Sequence, residues 1–498
     1  MVTSAGVTAA PVVGQGFSIT PADLRFILDQ IKIAEAHVVN TTGETGPCGA
    51  LLGTGANQIP SPLLPFGLRT VDGSCNNLLA GQEKFGASDQ AFPRLTTPVF
   101  SPAENGTSYA QTSGTVIDSE PRTVSNLIVD QTSDNPAAVA AAGFPVRSQG
   151  NIGVVPCVVE DNPGTPSVDE SDPPECVPSG RTLFIPNVTT DVGLSPPFNG
   201  LFTIFGQFFD HGLDKITNGG AGTVFVPLKA DDPLVTLGPD GKPNTGDEVP
   251  EGLRFMTLTR GTIVTGPDGH RSAQNTDTPF VDQSQTYTSH SSHQVFLREY
   301  VASDTGPLST GKFLSRPDGQ GMAIWSEIKD QASSLLGLQL LDTDVNDIPM
   351  IAADAYGNFI PGPLRGMPQA VFPGNVLVEG DPAANGGAGI SLAGALRIGT
   401  AFLNDIAHSA GPGTTAAPKT PDANTTPGRS LDQLAPNEYD DELLDIHFIC
   451  GDGRCNENIA LTAVHQMFHA EHDRLVEDIE ATLQLDENDA LEADYHAT

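Results

Sequence analysis

The sequence predicts a mainly α-helical protein with long irregular loops. Three observations predict it. Apolar residues recur at helical spacing over 17–40, 322–337, 391–408, 438–449 and from 456 to about 483. Glycine (53) and proline (41) are abundant, and between 41 and 195 they join Ser, Thr and Asn to erase any clear period. The stretch PPFNGLFTIFGQFFDHGLDKI (196–216) is dense enough in apolar and aromatic side chains to read as a helix buried on most sides.

The first helix carries its own start signal. Thr20 can cap it, Pro21 suits the first turn, where a missing N–H costs nothing, and Leu24, Ile27, Leu28 and Ile31 form one stripe. Residues 1–45 are therefore expected to be an N-terminal segment whose helix docks on a principal domain spanning 46–498. Residues 41–195 read as long ordered loops with short strands, and 217–290 return to turns, with GPDG at 238 and again at 266. The last helix should present Val464, Phe468, Leu475 and Ile479 on one face.

Charge narrows the partners. Lys and Arg total 24 against 61 Asp and Glu, a net charge of −37, which repels nucleic-acid phosphates and anionic membranes and favours cations such as Ca2+. No apolar run reaches the roughly 18–20 residues of a membrane helix, and MVTSAGVTAAPVVGQG lacks the pattern of a signal peptide. The cysteines are Cys48, Cys75, Cys157, Cys176, Cys450 and Cys455, with no Cys-x-x-Cys pair of the kind zinc sites use. Cys48 with Cys75 and Cys157 with Cys176 would close loops of 27 and 19 residues, and other pairings stay open. The acidic, loop-rich composition suits an oxidising exterior, so an extracellular location is expected.

Three constellations carry chemistry. Gln207 and His211, at i and i+4, share a helical face next to Asp210, and a buried His and Gln so placed can both bond a small polar molecule. A lone buried His of this kind is, without further context, a satisfied core residue. In the second constellation Thr278, Phe280, Asp282 and Ser284 alternate along an extended stretch. Their oxygens can point to one side, as calcium requires, although a solvated turn reads the same way. In the third, GDGRCNENIALTAVHQMFHAEHDRL (451–475), Arg454 stands at a helix mouth with Glu457 three residues on. His465, His469 and His472 then fall at i, i+4 and i+7, a spacing that also admits a helix-bundle metal site.

Taken in order, these segments resemble the animal (peroxidase-cyclooxygenase) haem peroxidase superfamily, and more closely its bacterial members. PFGLRTVDGSCNNLLAGQEKFG (65–86) is similar to the family's opening motif. The resemblance implies a haem-peroxidase fold of the animal type, incomplete at the C-terminus, because nothing after Arg454 matches the motif of the proximal, axial histidine. Residues 46–498 would then be the distal portion of that domain.

The resemblance also implies roles. His211 would be the distal acid–base residue, Gln207 the distal glutamine, and Arg454 the distal arginine. Asp210 and Glu457 would occupy the two positions that can ester-link haem b, and Thr278, Phe280 (through its carbonyl), Asp282 and Ser284 the calcium loop. Gly212 stands where relatives place an Asp calcium ligand, with Asp214 nearby as a substitute. The implied activity is reduction of hydrogen peroxide coupled to oxidation of a halide or small organic donor, as in responses to oxidative stress. A C-terminal half carrying the proximal histidine would complete the site. The alternative is a non-catalytic, calcium-stabilised binding protein derived from the same fold.

Overall fold

A computed structural model describes residues 18–41, 70–77, 81–92, 114–117 and 200–497, with short interruptions that include 237–243, 281–282 and 429–433, together with strand residues 158–159 and 176–177. The chain divides into two units. One comprises Met1–Pro93, Phe198–Thr217 and Val264–Thr498, the other Arg94–Pro197 and Asn218–Ile263.

The first unit opens with helix α1 (Pro21–Thr41), close to the expected bounds. Thr20 and Asp23 close its start reciprocally: the Asp23 N–H donates to Thr20 Oγ1 at 3.3 Å and the Thr20 N–H to Asp23 Oδ2 at 2.9 Å. Leu24 and Leu28 are buried against Leu483 and Leu491 of the C-terminal helices, whereas Ile27 is exposed. Helix α2 (Gly200–Asp210) follows. It is not buried on most sides, as its composition suggests: only Phe208 is fully buried, and Leu201, Phe202 and Phe205 face outward.

The principal core of this unit gathers Val295, Phe296 and Leu297 of α3 (Ser291–Leu297), Trp325, Ile328 and Ala332 of α4 (Trp325–Ser334), and Phe402. Helices α5 (Ile459–Leu483) and α6 (Asp489–Ala497) form separate clusters, α5 with Phe208 and both helices with α1. The second unit contains the strand Asn218–Pro227, antiparallel to Phe255–Gly261 and parallel to Val116–Ile117. Gly222 there has φ +102°, and a Cβ at that position would strike the backbone of Gly114.

The mainly α expectation fails. Among the described residues 31% are helical and 24% lie in strands arranged as small sheets, which is not plainly a mainly α peroxidase fold. Arg298–Ser303 pairs with Gly306–Phe313, and Gln369–Phe372 with Val376–Glu379 across a turn in which Gly374 and Asn375 both take positive φ. Of residues 391–408, expected to be helical, 391–407 form only the end of a two-residue strand followed by turns and irregular backbone. The 438–449 pattern yields a helix only at Asp441–Asp445. Gly394, Gly399 and the short apolar side chains of this region pack equally well in extended backbone, so periodicity alone misassigned them.

Candidate active site around His211 and Arg454

Residues from four separated stretches of the first unit meet around His211. The ring lies just past the last residue of α2 and is buried. The helix is anchored below it, where Phe208 stacks on Phe468 of α5 at 4.5 Å and meets the His465 ring edge-on at 4.8 Å.

Arg454 belongs to the loop 450–455, which the sequence builds as a tight arch. Asn456 closes its base by donating to the Phe448 carbonyl at 2.8 Å and accepting from the Phe448 N–H at 3.1 Å. Gly451 lies so close to the backbone of Thr286 and Thr288 that any Cβ would overlap it, and Gly453 is held at the Asn404 amide. Asp452 accepts from Arg454 Nε and Nη2, both at 2.9 Å, and from the Arg454 main-chain N–H at 2.8 Å. Arg454 Nη2 also reaches the His211 carbonyl at 3.1 Å and Asp277 Oδ2 at 3.2 Å.

The imidazole sits between two carboxylates, with Nδ1 3.9 Å from Asp452 Oδ1 and Nε2 3.6 Å from Glu457 Oε2. Nδ1 is buried with no hydrogen-bond partner. Gln207 Nε2 donates to Glu457 Oε2 at 2.7 Å, and its carbonyl accepts from Asn458 Nδ2 at 3.1 Å. Asn458 also caps α5 through the Leu461 N–H. One side chain thereby ties Gln207 to the start of α5.

Burial, then the nearby Arg454, pushes the His211 pKa down, so the ring is neutral near neutral pH. For Asp452 burial pushes the other way, but Lys215 and Arg454 outweigh it and hold the carboxyl well below the usual range. Asp277, buried beside Asp452, is pushed up to about 8 and keeps its proton.

The expected residues Gln207, His211, Arg454 and Glu457 are therefore brought together. Asp210 stands at the exposed end of α2, its carbonyl accepting from the Leu213 N–H. Sequence reading missed Asp452, Asp277 and Asn458. The signal for Asp452 was its place between two glycines, two residues before Arg454.

The 278–284 loop adjoins this cluster. Ser284 Oγ donates to the Gly212 carbonyl at 3.3 Å, and Thr278 is buried. Gln285, also buried, sends its side chain to the space a Cβ of Gly212 would fill, and its Oε1 has no hydrogen-bond partner. The opening motif packs here too: a Cβ at Gly73 would meet Thr278, and one at Gly86 the ring of Phe280. Asp282 lies outside the described residues.

The histidines of α5 do not converge. His465 turns to Cys450, His469 bonds Ser315 Oγ at 2.9 Å, and His472 contacts Asp473 Oδ1 at 3.1 Å. A separate acidic group, Asp422, Asp441 and Glu442, has carboxylate oxygens within 4.8 Å of one another. No described helix is long and apolar enough to cross a membrane. No family model matches the chain, and comparison with curated proteins finds no match.

Proposed function

We propose that this chain supplies the acid–base side of a haem-dependent peroxidase acting on hydrogen peroxide and a small halide or organic donor. The observation that carries the reading is a buried, neutral histidine held by an arginine from 243 residues away, with a half-exposed carboxylate beside it.

The chemistry of the donor set would suit a haem: a neutral imidazole whose Nε2 faces the half-exposed Glu457, next to a fixed guanidinium. Asp210 and Glu457 would hold the group, which when bound would supply the redox chemistry of iron. His211 Nε2, on the Glu457 side, takes a proton from one peroxide oxygen and returns it to the other as that oxygen leaves. The ring can do so because it is uncharged at rest. Arg454 keeps positive charge next to the histidine, and Asp452 fixes the guanidinium, so both are set in place before substrate arrives. Gln207, oriented by Glu457 and Asn458, contributes a polar wall. None of these residues would ligate the iron, so imidazole added in solution would stand in for that ligand.

A calcium ion in this loop would find neutral oxygens in Ser284 Oγ, the Gly212 carbonyl and Gln285 Oε1, and would need a carboxylate as well. That ion would fix the turn on which His211 stands, and it equally serves the alternative of a calcium-stabilised binding protein. The test is haem titration of the full chain with added imidazole. A Soret band that shifts with peroxide, and peroxide consumption that falls about 100-fold or more in His211→Ala, are expected. Full peroxide turnover by His211→Ala sinks the assignment; calcium binding without any haem band favours the alternative.

A further inference from the structure

Away from the His211 ring, on the inner side of the same arch, lie two cysteines that the peroxidase reading leaves unused. Cys450 and Cys455 are free and buried, and pack with Met322 in one small core cluster. Each thiol donates to a main-chain carbonyl, Cys450 to Asp452 and Cys455 to Phe448, and Cys450 and His465 line the same small cavity. Cys450 Sγ is 2.9 Å from the Asp452 carbonyl, and Asn456 Nδ2 approaches Cys455 Sγ at 3.5 Å. His465 is itself buried, and neither ring nitrogen has an oxygen or nitrogen partner. A small cavity, lined by Cys450, His465, His469, Thr286 and Met322, reaches the sulfur.

Two buried thiols in one cluster, a nearby imidazole without hydrogen-bond partners and a small cavity are more than packing needs. A structural cysteine pair in a core needs neither a base nor a void. We propose that Cys450 and Cys455 form a redox-active dithiol that a small hydroperoxide oxidises to a disulfide, closing the arch that carries Asp452 and Arg454.

The chemistry balances without further reagents. Cys450 passes its proton to His465, and the thiolate attacks one peroxide oxygen. The O–O bond breaks, leaving a sulfenic acid on Cys450, and the departing hydroxide takes a proton from His465 to become water. Cys455 then attacks the Cys450 sulfur; the S–S bond forms, the S–O bond breaks, and a second water leaves. Two thiols are oxidised and one peroxide is reduced. Electrostatics supports the first step: burial pushes the Cys450 thiol up, but Cys455 and the charge on His465 outweigh this and bring it to about 6. Cys455, buried beside Cys450, is raised, so Cys450 attacks and Cys455 resolves.

The site also lies where it can regulate. Arg454 and Asp452 stand between the two cysteines, and a disulfide across the arch limits how far either can move from His211. The proposal does not depend on haem, so its test separates it from the peroxidase reading.

Reduced full-length protein is exposed to hydrogen peroxide, denatured in N-ethylmaleimide, digested and weighed by mass spectrometry. Wild type is expected to lose both maleimide adducts on the Cys450–Cys455 peptide and show an internal disulfide. Cys455→Ser is expected to stop at a sulfenic acid on Cys450, captured by dimedone. His465→Gln, checked for an unchanged thermal unfolding midpoint, is expected to oxidise about tenfold more slowly at neutral pH and to regain the rate as pH rises and the thiol ionises unaided. Maleimide on both cysteines after excess peroxide overturns the proposal. So does a stoichiometric zinc ion that shields the reduced pair, or oxidation of Cys455 at an undiminished rate in Cys450→Ala.

Discussion

The guanidinium of Arg454 donates to the main-chain carbonyl of His211 at 3.1 Å, joining residues 243 apart in the chain. The bond goes to the backbone, so it fixes the turn at the end of α2 and leaves the imidazole nitrogens for chemistry. Asp452 completes the arrangement by gripping Arg454 through two side-chain bonds and one main-chain bond. A buried carboxylate, an arginine and the end of a helix act as one rigid piece.

That rigidity predicts a cost for breaking it. Arg454→Ala leaves Asp452 buried and without its bidentate partner, which should lower stability by about 3 kcal/mol. Arg454→Lys retains charge but not the planar fork, and should fall between wild type and Ala. Urea denaturation of the three proteins at neutral pH measures both. A loss under about 1 kcal/mol in Arg454→Ala would place the pair among ordinary surface bridges.

The calcium site proposed above is open to a second test. Chelation should lower the thermal unfolding midpoint of wild type, and calcium at about 100 times its dissociation constant should restore roughly 2.7 kcal/mol. In Gln285→Ala the increment between chelated and calcium-loaded protein should shrink, whatever the absolute midpoint. Scanning calorimetry at matched ionic strength reads the increment directly, and an equal increment in both proteins removes Gln285 from the cation site.

How far the sequence disclosed this arrangement depends on the type of signal. Local signals were legible: Thr20 and Pro21 start α1 where they should, and α5 runs from Ile459 to Leu483, within about three residues of the expected bounds. Local spacing paired Gln207 with His211 and Arg454 with Glu457, and the fold brings the two pairs together. The mainly α expectation failed on stretches whose partners are remote. The strand Asn218–Pro227 is stabilised by pairing with Val116–Ile117 and Phe255–Gly261, and no window of its own residues contains that fact. Asp277 and Asp452 were missed for the same reason. Each looks like a solvated loop carboxylate until the fold buries it beside the other. The outward face of α2 shows the converse error, in which apolar density was read as burial although Phe202 and Phe205 are exposed.

Asp277 supplies the last prediction, a pH dependence with a definite sign. Burial and the neighbouring Asp452 raise its pKa from the ordinary 3.8 to about 8. Between those values the folded protein holds a proton that the unfolded chain has released. The stabilising contribution is therefore full below the unfolded value and is lost as pH rises toward about 8. Asparagine mimics the protonated carboxyl: its amide can donate to Asp452 while its carbonyl accepts from Arg454 Nη2. Asp277→Asn should thus gain stability relative to wild type continuously as pH rises from about 4 to about 8, so that the gap is larger at about pH 8 than at about pH 5. Asp452, whose pKa is depressed, titrates below this window, and Asp405, raised to about 7 by burial and by Cys450, is common to both proteins. The difference between the two unfolding curves therefore isolates Asp277. A gap that stays constant from about pH 5 to 8 means that Asp277 is ionised throughout and that its carboxylate is paired with Arg454 as a charge.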